Sequence, residues 1–284
     1  MGKKQGKGSI AMEIREIFRQ EAQRAGFSAF GVCPFAPFAD RLLPCRAAAR
    51  IPAGAKSVLS VLFPYRSAGM EEAGRNLSRY ACVEDYHMAG GRVLQDLAGA
   101  MARRIPERAF VPFLDNSPIP EVEAAARCGL GVVGKNGLLL HPRFGSWVFI
   151  GEIVTDADFM EAGEEPRGCP DCGACAAACP GKCLPGGDRT GCLSALTQKK
   201  GALTEREEEA VRRGGLVWGC DACQEVCPLN RRAVCEPHPC FSSPSTRLTE
   251  EGLVNLHGKA YGWRGAEVLR RNLRIFSEKK ETGK

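Results

Sequence analysis

Between residues 168 and 183 the chain reads GCPDCGACAAACPGKC, which puts Cys169, Cys172, Cys175, Cys179 and Cys183 within fifteen positions. A second group, Cys220, Cys223 and Cys227, stands in GCDACQEVCPLN. The spacing C-x2-C-x2-C-x3-C-P is that of bacterial ferredoxins, where three close thiolates wrap one 4Fe-4S cube and the fourth reaches a neighbouring cube. The second group has three members, so it needs a fourth ligand, and Cys192 is the natural candidate. Two 4Fe-4S clusters are expected: Cys169, Cys172 and Cys175 with Cys227 for one, and Cys179, Cys192, Cys220 and Cys223 for the other. Cys183 is left as a spare. Paired cysteines also suit tetrahedral zinc, but triple runs closed by Cys-Pro belong to clusters. Cys33, Cys45, Cys82, Cys128, Cys235 and Cys240 share no spacing and read as small core residues.

Fifteen cysteines in 284 residues exceed ordinary usage several-fold, yet a chain this long needs no disulfide staples. The start is polar and basic, without the apolar core of a secretion signal, and no run of about 18 apolar residues occurs. The expected setting is therefore the cytoplasm, with no membrane partner, where dense cysteine means metal or redox chemistry. Residues 259 to 284 carry eight Lys or Arg against three Glu, and Lys3, Lys4 and Lys7 add to the other end. With a net charge of +6 overall, the remainder is slightly acidic. A basic end can touch phosphates, though a solvated, frayed terminus is the plainer reading.

A two-cluster module is complete in a small fraction of this length, so the residues ahead of it must do another job. Helical and strand periods alternate there, an α/β pattern. Ile10, Ile14, Ile17 and Phe18 share a helix face that stops at Gly26, and Val93, Leu94, Leu97 and Met101 share another. SVLSVLF (57 to 63), AFVPFL (109 to 114) and SWVFIGEIV (146 to 154) read as strands. The texture changes near residue 160. The organisation expected is a basic leader at 1–8, an α/β domain at 9–158, a double-cluster ferredoxin-like domain at 159–240 and a basic C-terminal tail at 241–284. GLGVVGKNG (129 to 137) lacks both glycine-rich nucleotide signatures, so its glycines more plausibly let backbone approach a bulky ligand. In DNSPIPEVEAAA, Asp115 alone reads as a helix N-cap ahead of a proline-started helix.

The segments SRYACVEDYH (78 to 87), LDNSPIPE, AARCGLGVVGKNGLLL, FGSWVFIGEIVTD, CLSALTQ (192 to 198) and GCDACQEVCPLN, in that order, resemble the epoxyqueuosine reductase family. The resemblance covers about residues 10 to 235 and implies a cobalamin-dependent enzyme that completes queuosine in tRNA. It implies an α/β sandwich that binds cobalamin, related to that of reductive dehalogenases, followed by the ferredoxin-like domain with the cluster pairing given above. It implies that Asp115 is the proton donor and that Ser78, Asp85, Tyr86, His87, Lys135, Asn136, Ser146 and Ser194 lie in or around the corrinoid cavity. A carboxyl after the apolar strand FVPFL could have its pKa raised toward that task. The chain resembles a short form without the family's C-terminal helical-repeat domain, so tRNA and a smaller electrophile are both carried as substrates. An electron donor such as flavodoxin or ferredoxin is implied. The alternative is a non-catalytic two-cluster relay, which would have no use for a corrinoid cavity.

Overall fold

The computed structural model describes residues 7–186, 188–241 and 244–282. Most of the basic leader lies outside them. The first region is helix α1 (Lys7–Arg24), strands β1 (Phe30–Pro34) and β2 (Ser57–Pro64), helix α2 (Tyr86–Arg104), strand β3 (Phe110–Leu114), helix α3 (Glu121–Arg127), the short hairpin β4 (Val132–Val133) and β5 (Leu139–Leu140), and strand β6 (Val148–Thr155). Four strands form one sheet in the order β1-β2-β6-β3, and every pairing is antiparallel. Alternating helices and strands usually announce a parallel sheet, but here β6 arrives last and inserts between β2 and β3. The architecture is the α+β form of the expected sandwich.

Both long strands are buried on both faces, which explains their unbroken apolar runs. The period of two sends Leu59, Val61, Phe63 and Ile153 to the face covered by α1 and α2, where Phe18, Leu94, Leu97 and Met101 meet them. Each such side chain, fully buried, contributes about 1.5–3 kcal/mol. Val58, Leu62, Ile150 and Val154 face α3. That helix presents Ala124, Ala125 and Ala126, small enough to lie close. Gly31 allows the approach, since a Cβ there would come within 2.2 Å of the Cys128 carbonyl oxygen. Ile10, expected on the inner face of α1, is 44 % exposed.

The cysteine region adds the short helices α4 (Ala174–Ala178), α5 (Leu193–Gln198), α6 (Glu205–Gly214) and α7 (Ala222–Glu225). It is fastened to the sandwich by the segment before α2. Val217 donates to the Asn76 carbonyl, Ser78 to the Trp218 carbonyl, and Arg75 and Arg79 close on the buried Asp221. Removing one partner of such a pair leaves an uncompensated buried charge, a cost of about 3–5 kcal/mol. The expected frayed tail is instead structural. Leu248, Leu253, Tyr261, Val268 and Leu269 join the main core, and Ile275 packs on Leu193, Leu196 and Val211. They lie on the approach to, and along, α8 (Ala266–Thr282). There Asn272 donates to the carbonyls of Thr197 and Val217, while Arg270, Arg271 and Arg274 are engaged by Glu250, the Lys199 and Gly201 carbonyls, and Glu208. Asn272 and Arg271 thus tie α8 to the cysteine region, whereas Arg270 and Arg274 form exposed pairs.

Candidate active site

The Leu114–Gly151 and Pro64–Val148 pairings bring the ends of β2 and β3 and the start of β6 to one rim of the sheet. Aromatic rings collect there: Phe149 stacks on Tyr86 at 4.1 Å and 10° and lies 4.6 Å from Tyr65. They border a cavity of about 310 Å³ whose lining also holds Asp115 and Glu121, the polar side chains Asn136, Ser146, Ser194 and Gln224, and the cysteines Cys192, Cys220 and Cys223. Carboxyls from the sandwich and thiols from the cysteine region therefore face a single space.

Asp115 follows β3 in a left-handed turn, with φ 53° there and 44° at Asn116. It does not cap α3, whose N-cap is Pro120, without a side-chain hydrogen bond. Its Oδ2 is 2.9 Å from His87 Nε2, and His87 Nδ1 is 2.8 Å from Asp85 Oδ1. Asp85 caps α2 by accepting from the His87 amide, so the cap also orients the imidazole. The His87 hydrogen bond holds the Asp115 carboxyl below the usual carboxylate range, against the opposing pull of burial. His87 rises in turn, first through that bond. The expectation of an upward shift for Asp115 is corrected: the turn carries the carboxyl off the apolar strand and onto an imidazole. The shared hydrogen bond therefore favours the imidazolium–carboxylate form of the pair.

Glu121, which the sequence reading passed over, lines the same cavity and is pushed up to about 7 by burial and then by the Asp115 charge. Glu152 is fully buried behind it, on the face of β6 that α3 covers, and accepts a hydrogen bond from Ser117 of the Asp115 turn. The Ser117 hydroxyl accepts in turn from the Ile119 amide. This chain anchors the turn to the sheet. Burial lifts Glu152 from 4.5 to about 8, so the folded protein holds a proton that the unfolded chain releases. The stability this gives is complete below the unfolded value and is lost as pH rises toward about 8. Glu152→Gln should therefore gain in Tm over wild type between about pH 5 and pH 8, the gain levelling off above. Parallel Tm curves for the two proteins would show Glu152 to be an ordinary carboxylate.

A smaller cavity is lined by Cys169, Cys172, Cys175 and Cys227, together with Lys135, Asn136 and Asp171. The Lys135 amide approaches Cys169 Sγ at 3.4 Å and its ammonium pairs with Asp171 at 3.1 Å. Cys179, Cys192, Cys220 and Cys223 form a separate neighbourhood, each of the last two lying within electrostatic reach of Cys179 and Cys192. Among the described residues no three His, Cys, Asp or Glu side chains converge as they would on one metal ion. The thiols stand around spaces. Of the residues expected around the corrinoid, Tyr86, Asn136, Ser146 and Ser194 line the large cavity. Lys135 lies at the first cysteine set, and Asp85 and His87 stand behind Asp115. Ser78 is buried against Gly219, where a Cβ would meet its hydroxyl at 1.9 Å. Tyr65, Tyr80, Glu121, Phe149, Arg189 and Gln224 also line it; although Tyr80, Glu121, Phe149 and Gln224 stand in the segments quoted above, only long-range pairing brings them together.

Two family models match the chain: "4Fe-4S double cluster binding domain" over residues 168–230 and "Epoxyqueuosine reductase QueG, DUF1730" over residues 46–116. The first spans both cysteine groups and the second ends one residue past Asp115. The epoxyqueuosine reductase of Lactococcus garvieae is 34% identical over 239 residues, 77% of this chain and 68% of that protein. That of Gloeobacter violaceus is 37% identical over 185 residues, 63% of this chain and 58% of that protein. A solved epoxyqueuosine reductase in complex with an epoxyqueuosine-modified tRNA-Tyr stem loop shares the fold, with a TM-score of 0.77 at 22% identity, covering 94% of this chain and 81% of that one. With the double-cluster region, the carboxylate-bearing rim and a relative matched over two thirds of its length in one chain, the protein belongs to the epoxyqueuosine reductase family.

Proposed function

We propose that the chain removes the epoxide oxygen of epoxyqueuosine in tRNA, with cobalamin in the large cavity and two 4Fe-4S clusters on the two cysteine sets. The observation that carries this reading is the single cavity bordered by both Asp115 and the cysteines Cys192, Cys220 and Cys223. A relay protein has no need of such a space. Its lining fits a flat macrocycle with a polar rim: Tyr65, Tyr86 and Phe149 offer aromatic faces, and the buried Asn136 amide nitrogen has no partner. Cobalamin, when bound, supplies a strongly reducing metal centre able to attack an electrophilic carbon.

Converting an epoxide to an alkene and water consumes two electrons and two protons. The residues on the rim can store both protons. Asp115 can pass on a proton shared with His87 through their hydrogen bond, and Glu121, with a pKa near 7, holds another beside it. Cys172 is exposed, so the first cysteine set is where an outside donor delivers electrons, and the second set borders the cavity where they are used. Cys45 lines the open side of the Asp115 turn, and exposed Arg46 and Arg50 follow it. Arg50 also shares a cleft with His87 and Asp115. These exposed guanidiniums stand beside the Asp115 cleft, where an approaching phosphate backbone could meet them. They add a second candidate polyanion contact to the basic C-terminal end.

The test is anaerobic: protein reconstituted with iron, sulfide and cobalamin should convert an epoxyqueuosine-containing anticodon stem loop to the queuosine form with a low-potential chemical reductant. Failure by protein carrying full iron and bound corrinoid would exclude this substrate.

A further inference from the structure

Cys183 is absorbed by neither cysteine set, yet it is not an isolated core thiol. The chain reverses directly after Cys179, with the Lys182 amide donating to the Cys179 carbonyl and Lys182 at φ 51°. Gly181 lies flat on the Gly191 backbone, where a Cβ would stand 1.9 Å from its carbonyl oxygen. This packing delivers the Cys183 sulfur to 3.4 Å from that of Cys179 and within electrostatic reach of Cys192. The side chain is 4 % exposed.

We infer that Cys183 is a reserve ligand of the second cluster, able to take over the iron corner held by Cys179. The inference rests on the two-cluster reading above. Two sulfurs in van der Waals contact can serve the same iron by rotation of a side chain, without rebuilding the backbone. The exchange replaces one thiolate by another, so ligand type and cluster charge are conserved, and cluster type with them. The first set contrasts sharply: the cavity lined by Cys169, Cys172, Cys175 and Cys227 holds no fifth thiol.

The experiment compares wild type, Cys179→Ala, Cys183→Ala and the double variant after anaerobic reconstitution, by iron and sulfide analysis and by EPR of oxidised and reduced samples. Wild type and both single variants should hold about eight iron per chain, with Cys179→Ala showing an altered reduced signal for the second cluster only. The double variant should lose iron from that cluster, or show an oxidised three-iron signal, while the first cluster's signal persists and certifies the fold. Equal loss of iron in Cys179→Ala and the double variant would overturn the reserve role alone. Wild type with zinc and no sulfide would overturn the two-cluster reading and this inference with it.

Discussion

Asp115→Asn is expected to lower turnover on an epoxyqueuosine stem loop about 10²–10⁴-fold, the usual worth of a positioned proton donor, while iron, sulfide and corrinoid spectra stay as in wild type. The substitution separates chemistry from structure because Asp115 has no capping duty to lose: the N-cap of α3 is Pro120. Asparagine tolerates the left-handed backbone at φ 53° as well as aspartate does, so stability should change by no more than about 1 kcal/mol, the worth of the exposed pair with His87. What asparagine cannot do is shuttle a proton between His87 and a departing oxygen. His87→Gln offers the complementary test. Asp115 would then lose the imidazole with which it shares its proton, and the alkaline limb of the pH–rate profile, where the donor is deprotonated, should move to lower pH. Full activity in Asp115→Asn would assign proton delivery to another group, with Glu121 first in line.

The contrast between what was legible and what was not has a simple physical basis. β2 and β6 could be read because burial on both faces forces continuous apolar runs, and α2 because its inner face repeats at helical spacing. The sandwich order could not be read. β6 inserts between β2 and β3, a choice made by pairing over tens of residues. Asp115 sits among cap-forming residues, and only the backbone shows that the helix N-cap lies five residues later. Glu121 and Glu152 look like ordinary helix and strand carboxylates until burial is known; then one lies at about 7 and the other at about 8. The C-terminal segment looked like a solvated basic end, and its apolar stripe proves to be the wall against which α5 and α6 pack. Cysteine spacing was more informative than any of these, because most ligands of a cube come in short local runs, and in the first set only Cys227 is a long-range contribution.

That long-range contribution is the subject of the sharpest expected loss. Cys227 stands in the second group by sequence, four residues after Cys223, yet it lines the cavity of Cys169, Cys172 and Cys175. Cys227→Ala should therefore abolish the 4Fe-4S signal of the first set and leave that of the second, with iron falling from about eight toward about four per chain. Cys223→Ala should do the reverse. The loss should be complete because no further thiol lines that cavity, whereas Cys179 has Cys183 beside it. If electrons enter at the exposed edge of the first cluster near Cys172, as proposed, turnover driven by a protein donor should vanish with that cluster. A small chemical reductant that reaches the second cluster or the large cavity directly should restore part of it. EPR of the two reduced variants decides the matter: distinct residual signals follow from crossed ligation, and identical ones would mean that each sequence-local cysteine group holds its own cluster.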